Sequence, residues 1–358
     1  MSHLLNCPVC LTGSVVLIVI IGLGSMKIWK DKSGYFKKKS LQWTNQTRHE
    51  DIKRVLVIRQ CAFGDYMAAR PFLVELKKTF PHAHVTLATT RKYRYAVPED
   101  LVDDIFIHDT STGIKEQYTS LKTLGKFDIV FDLADTSRSR ALTLLSSAHL
   151  KMGFPYRPWY NRWLYDVTLP RSNYHYEAEV LLDFLNVFGN QPSYPLDFAL
   201  PVHSPSESTR VIYYFPFASG TNKSVPQDVW KTLILRAASQ FPDYQHILLE
   251  GANESEKGDF LLAEAAQHAN ITIQHKLPLN ELTHTMARAD LLVCGDTGVR
   301  NLALATHTPT LGIFYSTLPY RYWPRYEPQH RCLFNQDGRI PDVDQMLEAM
   351  ESFIPHPE

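Results

Sequence analysis

Hydrophobic and polar positions along the chain fall into two rhythms that alternate from residue 54 onward. Short runs rich in Val and Ile are followed by stretches of helical spacing, the pattern of βαβ units around a parallel sheet. Arg54–Arg59 (RVLVIR) is the first such run, and a helical stretch follows it as far as Phe80. His84–Ala88, Ile105–His108 and Asp128–Leu133 predict further strands. Residues 190–208 interrupt the rhythm with four prolines and no helical period, which marks a boundary. Beyond it, Arg210–Phe217, His246–Glu250, Asn270–Gln274, Asp290–Cys294 and Thr310–Tyr315 predict five strands, with a helix starting near Pro226. Val343–Phe353 closes the chain as an amphipathic helix with Met346, Leu347, Met350 and Phe353 on one side. The expected fold class is α/β: two Rossmann-like βα domains, 54–190 and 209–358, joined by a linker at 191–208. Such domains bind ligands at the carboxyl ends of their strands, here in a cleft between the two.

The first 53 residues read differently. Leu4–Met26 is a stretch of 23 residues without a charged side chain, long enough to span a bilayer. Lys27, Lys30, Lys32, Lys37, Lys38 and Lys39 follow it, which places the C-terminal side in the cytoplasm by the positive-inside bias. Residues 1–53 are therefore expected to form an N-terminal membrane-anchor helix and a basic linker; a tail translated from an upstream start codon is the alternative. A cleaved signal fits less well, since no Lys or Arg precedes the run and no A-x-A site follows it.

Charge sharpens this picture. The whole chain balances at 37 Lys+Arg against 37 Asp+Glu, which argues against a dedicated nucleic-acid binder. Neutrality hides unlike parts: residues 1–54 hold nine basic and three acidic side chains, a surplus of six that the remainder cancels. Cys7 and Cys10 form C-P-V-C with no second pair at zinc-binding spacing, so no metal site is expected there.

Three loops after predicted strands carry candidate chemistry. In Gln60-Cys61-Ala62-Phe63-Gly64-Asp65 the aspartate lands at a helix start, where it suits either a helix cap or a reactive carboxylate. Phe217–Ser224 gathers hydroxyls, a glycine and Lys223 before a helix, a phosphate cradle or a polar turn, without the spacing of a Walker loop. Gly295-Asp296-Thr297-Gly298-Val299-Arg300-Asn301 opens a helix whose first N–H groups would face the cleft, or is simply a helix start.

Together these loops resemble those of glycosyltransferase family 9, the lipopolysaccharide heptosyltransferases. The similarity covers about residues 54–354 and includes F-G-D, S-G-T-N-K-S-V-P, FDIVFDLADTSRSRALTLLSSA before KMGF, and D-T-G-V-R-N-L-A-L-A before T-P-T-L-G-I-F-Y. The resemblance implies the GT-B fold and an inverting, metal-independent transfer from a nucleotide sugar, with no cofactor. It makes Asp65 the catalytic base. Lys223, with Ser219, Thr221 and the amides of Thr297 and Gly298, would hold the donor diphosphate, and Asp296, Arg300 and Asn301 complete that loop. A ribose contact is expected after Glu250-Gly251, from Glu254, with Glu256 also near. Heptosyltransferases often carry a histidine where this chain has Asn301. Asp342-Val-Asp344 has D-x-D spacing but opens the last helix, where capping is the better explanation.

The acceptor side is read from charge. Between residues 138 and 171, Arg138, Arg140, Lys151, Arg157, Arg162 and Arg171 face a single acid, Asp166, with aromatics interleaved. Arginine forks suit carboxylates and phosphates, and aromatic rings suit sugar faces. Arg138, Arg140, Arg157 and Arg162 are thus expected to bind an anionic glycolipid acceptor. The expected function is transfer of a heptose from ADP-heptose to the lipopolysaccharide inner core at the cytoplasmic face of the bacterial inner membrane. The alternatives are transfer of a hexose or N-acetylhexosamine to another glycolipid or polysaccharide, and a non-catalytic nucleotide-sugar-binding protein.

Overall fold

The computed structural model describes residues 34–109, 111–155, 163–206, 208–218, 220 and 223–354. The first half is built on a seven-stranded sheet of β1 (Tyr35–Phe36), β2 (Arg54–Ile58), β3 (His84–Thr89), β4 (Asp104–Ile107), β5 (Lys126–Asp132), β6 (Ser147–Gly153) and β7 (Val167–Thr168). Their order is β1-β7-β6-β5-β2-β3-β4, parallel throughout except for the β1–β7 pair. The second half carries a six-stranded, all-parallel sheet of β8 (Arg210–Phe215), β9 (Tyr244–Leu249), β10 (Ile271–Gln274), β11 (Leu291–Cys294), β12 (Thr310–Ile313) and β13 (His330–Leu333), in the order β10-β9-β8-β11-β12-β13. Central strands carry unbroken apolar runs because both faces are covered. Val55–Ile58 are all buried, as are Leu291–Cys294.

Helices α1 (Lys38–Gln46), α2 (Phe63–Thr79), α3 (Ile114–Thr123), α4 (Ser137–Leu145), α5 (Glu177–Asn186), α6 (Gln227–Gln240), α7 (Leu279–Ala287), α8 (Gly298–Ala305) and α9 (Val343–Glu351) connect and cover the strands. Helix α2 is buried on every side, because it packs on α5 and also on α8 of the other half. Accordingly it has no clean polar face, and its buried charges are paired: Arg70 with Asp100, Glu75 with Lys78 and Asn190. One apolar cluster runs from Val57 and Phe131 through Phe72 and Leu76 of α2 to Leu302 and Ala303 of α8.

The connection between the halves is fastened at both ends. Arg70 Nε donates to the carbonyl of Phe198 at 2.6 Å and Arg70 Nη2 to that of Ala199 at 3.0 Å. Beyond, the amides of His203 and Ser204 donate to Thr306 and Ala287 of the second half, each at 2.7 Å.

One expectation is corrected here. Residues 34–53 are not a featureless linker. Tyr35 and Phe36 pair with Val167 and Thr168 at the sheet edge, and Lys37 Nζ meets Asp166 Oδ1 at 2.9 Å. Trp43 of α1 then stacks on His149, with ring centroids 6.2 Å apart. A basic, weakly periodic segment folds because the edge strand β7 offers it unpaired backbone groups. Among the described residues no helix is long and apolar enough to cross a membrane. The apolar run at 4–26 lies outside the described residues.

Candidate active site

A cleft of about 760 Å³ lies where the carboxyl ends of both sets of strands meet. Its walls come from the loops after β2 (Ala62–Asp65), β8 (Lys223), β9 (Glu250–Asn253), β10 (His275–Leu279) and β11 (Asp296–Val299 and Asn301), together with Tyr322 after β12. The three loops singled out in the sequence therefore converge on one space.

Asp65 sits in the first turn of α2, whose N-cap is Ala62, so the carboxylate is not the cap. Its Oδ1 accepts a hydrogen bond from Tyr322 Oη at 2.5 Å and lies 3.7 Å from Arg59 Nη2 and 3.9 Å from Arg321 Nη2. Behind it, the fully buried Glu177 gathers three guanidiniums. Arg59 and Arg171 reach Oε1 at 3.0 and 2.6 Å, and Arg321 Nε reaches Oε2 at 3.0 Å. Burial alone would raise the Glu177 carboxyl, but the three arginines outweigh it and hold the group at about 2. Burial first, and then the Asp65 charge, raise the Tyr322 phenol, which stays protonated and can only be the donor in its bond to Asp65.

On the opposite wall Asp296 Oδ2 accepts from Lys223 Nζ at 2.7 Å and from Thr317 Oγ1 at 3.0 Å. Thr297 is the N-cap residue of α8 and makes no side-chain cap bond, and Thr297, Gly298 and Val299 at the start of this helix line the cleft. Ser219 and Thr221 lie outside the described residues.

The two half-sites touch at glycines. A Cβ on Gly64 would lie 2.5 Å from Asn301 Nδ2 and 3.0 Å from the Gly298 Cα; one on Gly298 would lie 3.1 Å from the Phe63 ring. The end of the Asn301 side chain can turn aside, but the Gly298 backbone at 3.0 Å cannot. Gly64→Ala is therefore expected to destabilise the fold by about 1–3 kcal/mol and to weaken ADP binding, as read by thermal melting and calorimetric titration.

Several expected site residues are placed otherwise. Arg300 is buried and points away from the cleft: Nη1 donates to the Tyr322 carbonyl at 2.5 Å and Nη2 to Cys332 Sγ at 3.1 Å. Gly312 makes room for it, since a Cβ there would sit 2.6 Å from Arg300 Nε. Arg300 thus does not line the cleft. Glu254 is exposed on a single helical turn and does not line the cleft, whereas Glu250 and Glu256 do. Glu250 Oε2 accepts from His275 Nδ1 at 2.8 Å, and Glu256 accepts from the Asn253 amide at 3.0 Å. Arg138 is exposed on α4 and does not line the cleft, and Arg140 pairs with Asp135 at 3.1 Å. Arg157 and Arg162 lie outside the described residues. His307, Glu327 and His330 form a cluster of metal-ligand type, but none of them lines the cleft and Glu327 already accepts from His307 and Gln329.

A sequence profile of glycosyltransferase family 9 (heptosyltransferase) matches residues 120–350. The chain belongs to glycosyltransferase family 9. The match spans most of the chain, including the cleft walls at Lys223, Asp296–Val299 and Asn301. An inferred glycosyltransferase of Haemophilus influenzae is 26% identical over 308 residues, 76% of this chain and 86% of its own. A family 9 glycosyltransferase of Veillonella parvula shares the fold with a TM-score of 0.67 at 18% identity, over 84% of this chain and 97% of that one. Escherichia coli heptosyltransferase WaaC, solved with ADP-2-deoxy-2-fluoro heptose, gives a TM-score of 0.66 at 18% identity, over 84% and 98% of the two chains. The family 9 chain is accordingly a glycosyltransferase with the two-sheet α/β architecture of the GT-B heptosyltransferases.

Arg59, Glu177, Arg321 and Tyr322 were absent from the expected site, and Arg171 was counted in the basic patch but not among the expected acceptor contacts. Arg59 and Tyr322 both follow carboxyl ends of strands, the position that identified the other three loops.

Proposed function

We propose that this chain transfers a heptose from ADP-heptose to the lipopolysaccharide inner core with inversion at the anomeric carbon. The observation that carries the reading is the sharing of one cleft by Asp65, the Lys223–Asp296 pair and the start of α8. In this scheme Asp65 takes the proton of an acceptor hydroxyl as its oxygen attacks the anomeric carbon. The bond from that carbon to the diphosphate breaks on the opposite face, and ADP leaves with the electron pair. Lys223 and the first amides of α8 meet the growing charge, the role that fixed dipoles and cations serve at developing anions. Gly298 and Asn301, side by side on α8, flank the leaving group. WaaC, whose fold this chain shares, was solved with an ADP-heptose analogue, which supports the choice of donor.

For the acceptor, the arginines near Asp65 favour an anionic glycolipid. Arg138, Arg140, Arg157 and Arg162 remain its proposed contacts, and the lysine-rich segment after residue 26 favours the cytoplasmic face of an acidic membrane. Purified full-length chain, offered ADP-heptose, UDP-glucose, GDP-mannose or UDP-N-acetylglucosamine with truncated inner-core lipopolysaccharide, is expected to release nucleoside diphosphate at least tenfold faster from ADP-heptose. Faster release from another donor would reassign the sugar, and release from none would make the protein a binding module.

A further inference from the structure

The segment after β12 crosses the cleft and docks on the first half. Besides the Arg321–Glu177 pair, Arg325 Nη2 donates to the Tyr174 carbonyl at 3.0 Å. Tyr320 lies against Tyr174 with centroids 5.8 Å apart, and Tyr326 meets Tyr194 edge-on at 4.8 Å. On its own side the segment is held by Thr317 on Asp296 and by Arg300 on the Tyr322 carbonyl. These ties fix the Tyr322 backbone from one half and its hydroxyl on Asp65 of the other, across 257 positions of sequence.

We propose that Tyr322 is a positioning residue for Asp65, delivered by the donor-side segment 315–327, so that the base is correctly aimed only while that segment is docked. The proposal rests on the reading of Asp65 as general base and names what orients it. Among the described residues every side-chain partner of the Asp65 carboxylate, Tyr322, Arg59 and Arg321, is on Oδ1. One edge is pinned and Oδ2 is left for the acceptor hydroxyl. Without the phenol the carboxylate turns about its last torsion, and a displacement of about 1 Å at a reacting group can cost a hundredfold in rate. Buried Arg300 acquires a task in this arrangement: it holds the carbonyl of the residue that holds the base.

The test is Tyr322→Phe, which keeps the ring and removes only the donor, assayed with ADP-heptose and truncated inner-core lipopolysaccharide. A ten- to hundredfold fall in kcat is expected, with donor KM and the calorimetric ADP Kd within twofold of the parent. In an Asp65→Asn background the same change is expected to alter residual turnover by less than twofold, because the two residues act as one unit. A kcat within twofold of the parent, or an equal loss in both backgrounds, overturns the proposal. Asp65→Asn turning over at the parent's rate would instead remove the base assignment. If the parent does not turn over ADP-heptose, hydrogen exchange decides: amides 62–68 are expected to exchange faster in Tyr322→Phe, and unchanged exchange overturns the clasp.

Discussion

An Asp65→Asn enzyme is expected to lose roughly 10²–10⁴-fold in kcat, the usual contribution of general-base help, while keeping its fold and its affinity for ADP within twofold. The carboxylate caps no helix and is about one quarter exposed, so little stability depends on its charge. An asparagine oxygen can still accept from Tyr322 Oη, which preserves the packing around the first turn of α2. What the amide cannot do is take a proton from an attacking hydroxyl. Steady-state turnover beside calorimetric titration of ADP separates these effects. Loss of ADP binding in parallel with turnover would show that the substitution damaged the cleft as a whole.

Glu177→Gln is expected to be the most destabilising single change near the site, at about 3–5 kcal/mol, because removing one partner of a buried ionic cluster leaves the others uncompensated. Arg59, with a side chain 3% exposed, would remain buried beside Arg171 and Arg321 with one fewer anion to face. The pH dependence has a definite sign. The folded carboxyl titrates at about 2 against an ordinary value of 4.5. Its stabilisation is therefore complete above the ordinary carboxylate range and is lost as pH falls toward 2, a swing of about 3 kcal/mol. Denaturant unfolding at pH 7, 4.5 and 3 checks both statements. The parent should weaken steeply on acidification, and the glutamine variant should begin weaker and fall less from this group. An equal slope in both proteins would place the acid sensitivity elsewhere.

Strands covered on both faces were legible because burial forces them to carry unbroken apolar runs. Val55–Ile58 and Leu291–Cys294 stand out for that reason. Strand β6, with Ser147, His149 and Lys151 less buried than Leu150 and Met152, and the short β13 (HRCL) carry too little apolar signal to separate from loops. The two-residue strand β1 exists only through its pairing with β7, and β7 through its pairing with β6 and β1, so nothing local in either announces them. At the site, Asp65, Lys223 and Asp296–Asn301 were found through loop position and helix starts. Arg300 was misplaced for a geometric reason: on a helix, Gly298 and Asn301 share a face, and Arg300 falls on the other side, toward β13. Glu177 and Tyr322 carry no motif: the packing of α5 on α2 sets Glu177 behind Asp65, and the packing of one half on the other brings Tyr322.

The fastening of the connecting segment decides where this molecule can bend. Arg70 secures the chain up to Ala199 to the first half, and the His203 and Ser204 amides secure the chain from residue 203 onward to the second. Leu200, Pro201 and Val202 remain as the articulation, two of its three residues apolar and the middle one a proline that admits little rotation. So short and stiff a joint restricts opening to a narrow arc, with Gly64 against Gly298 as the far bearing surface. Lengthening it by a few residues would widen the arc while leaving every side chain of the cleft unchanged, so the span of opening and the chemistry are separately adjustable in this architecture.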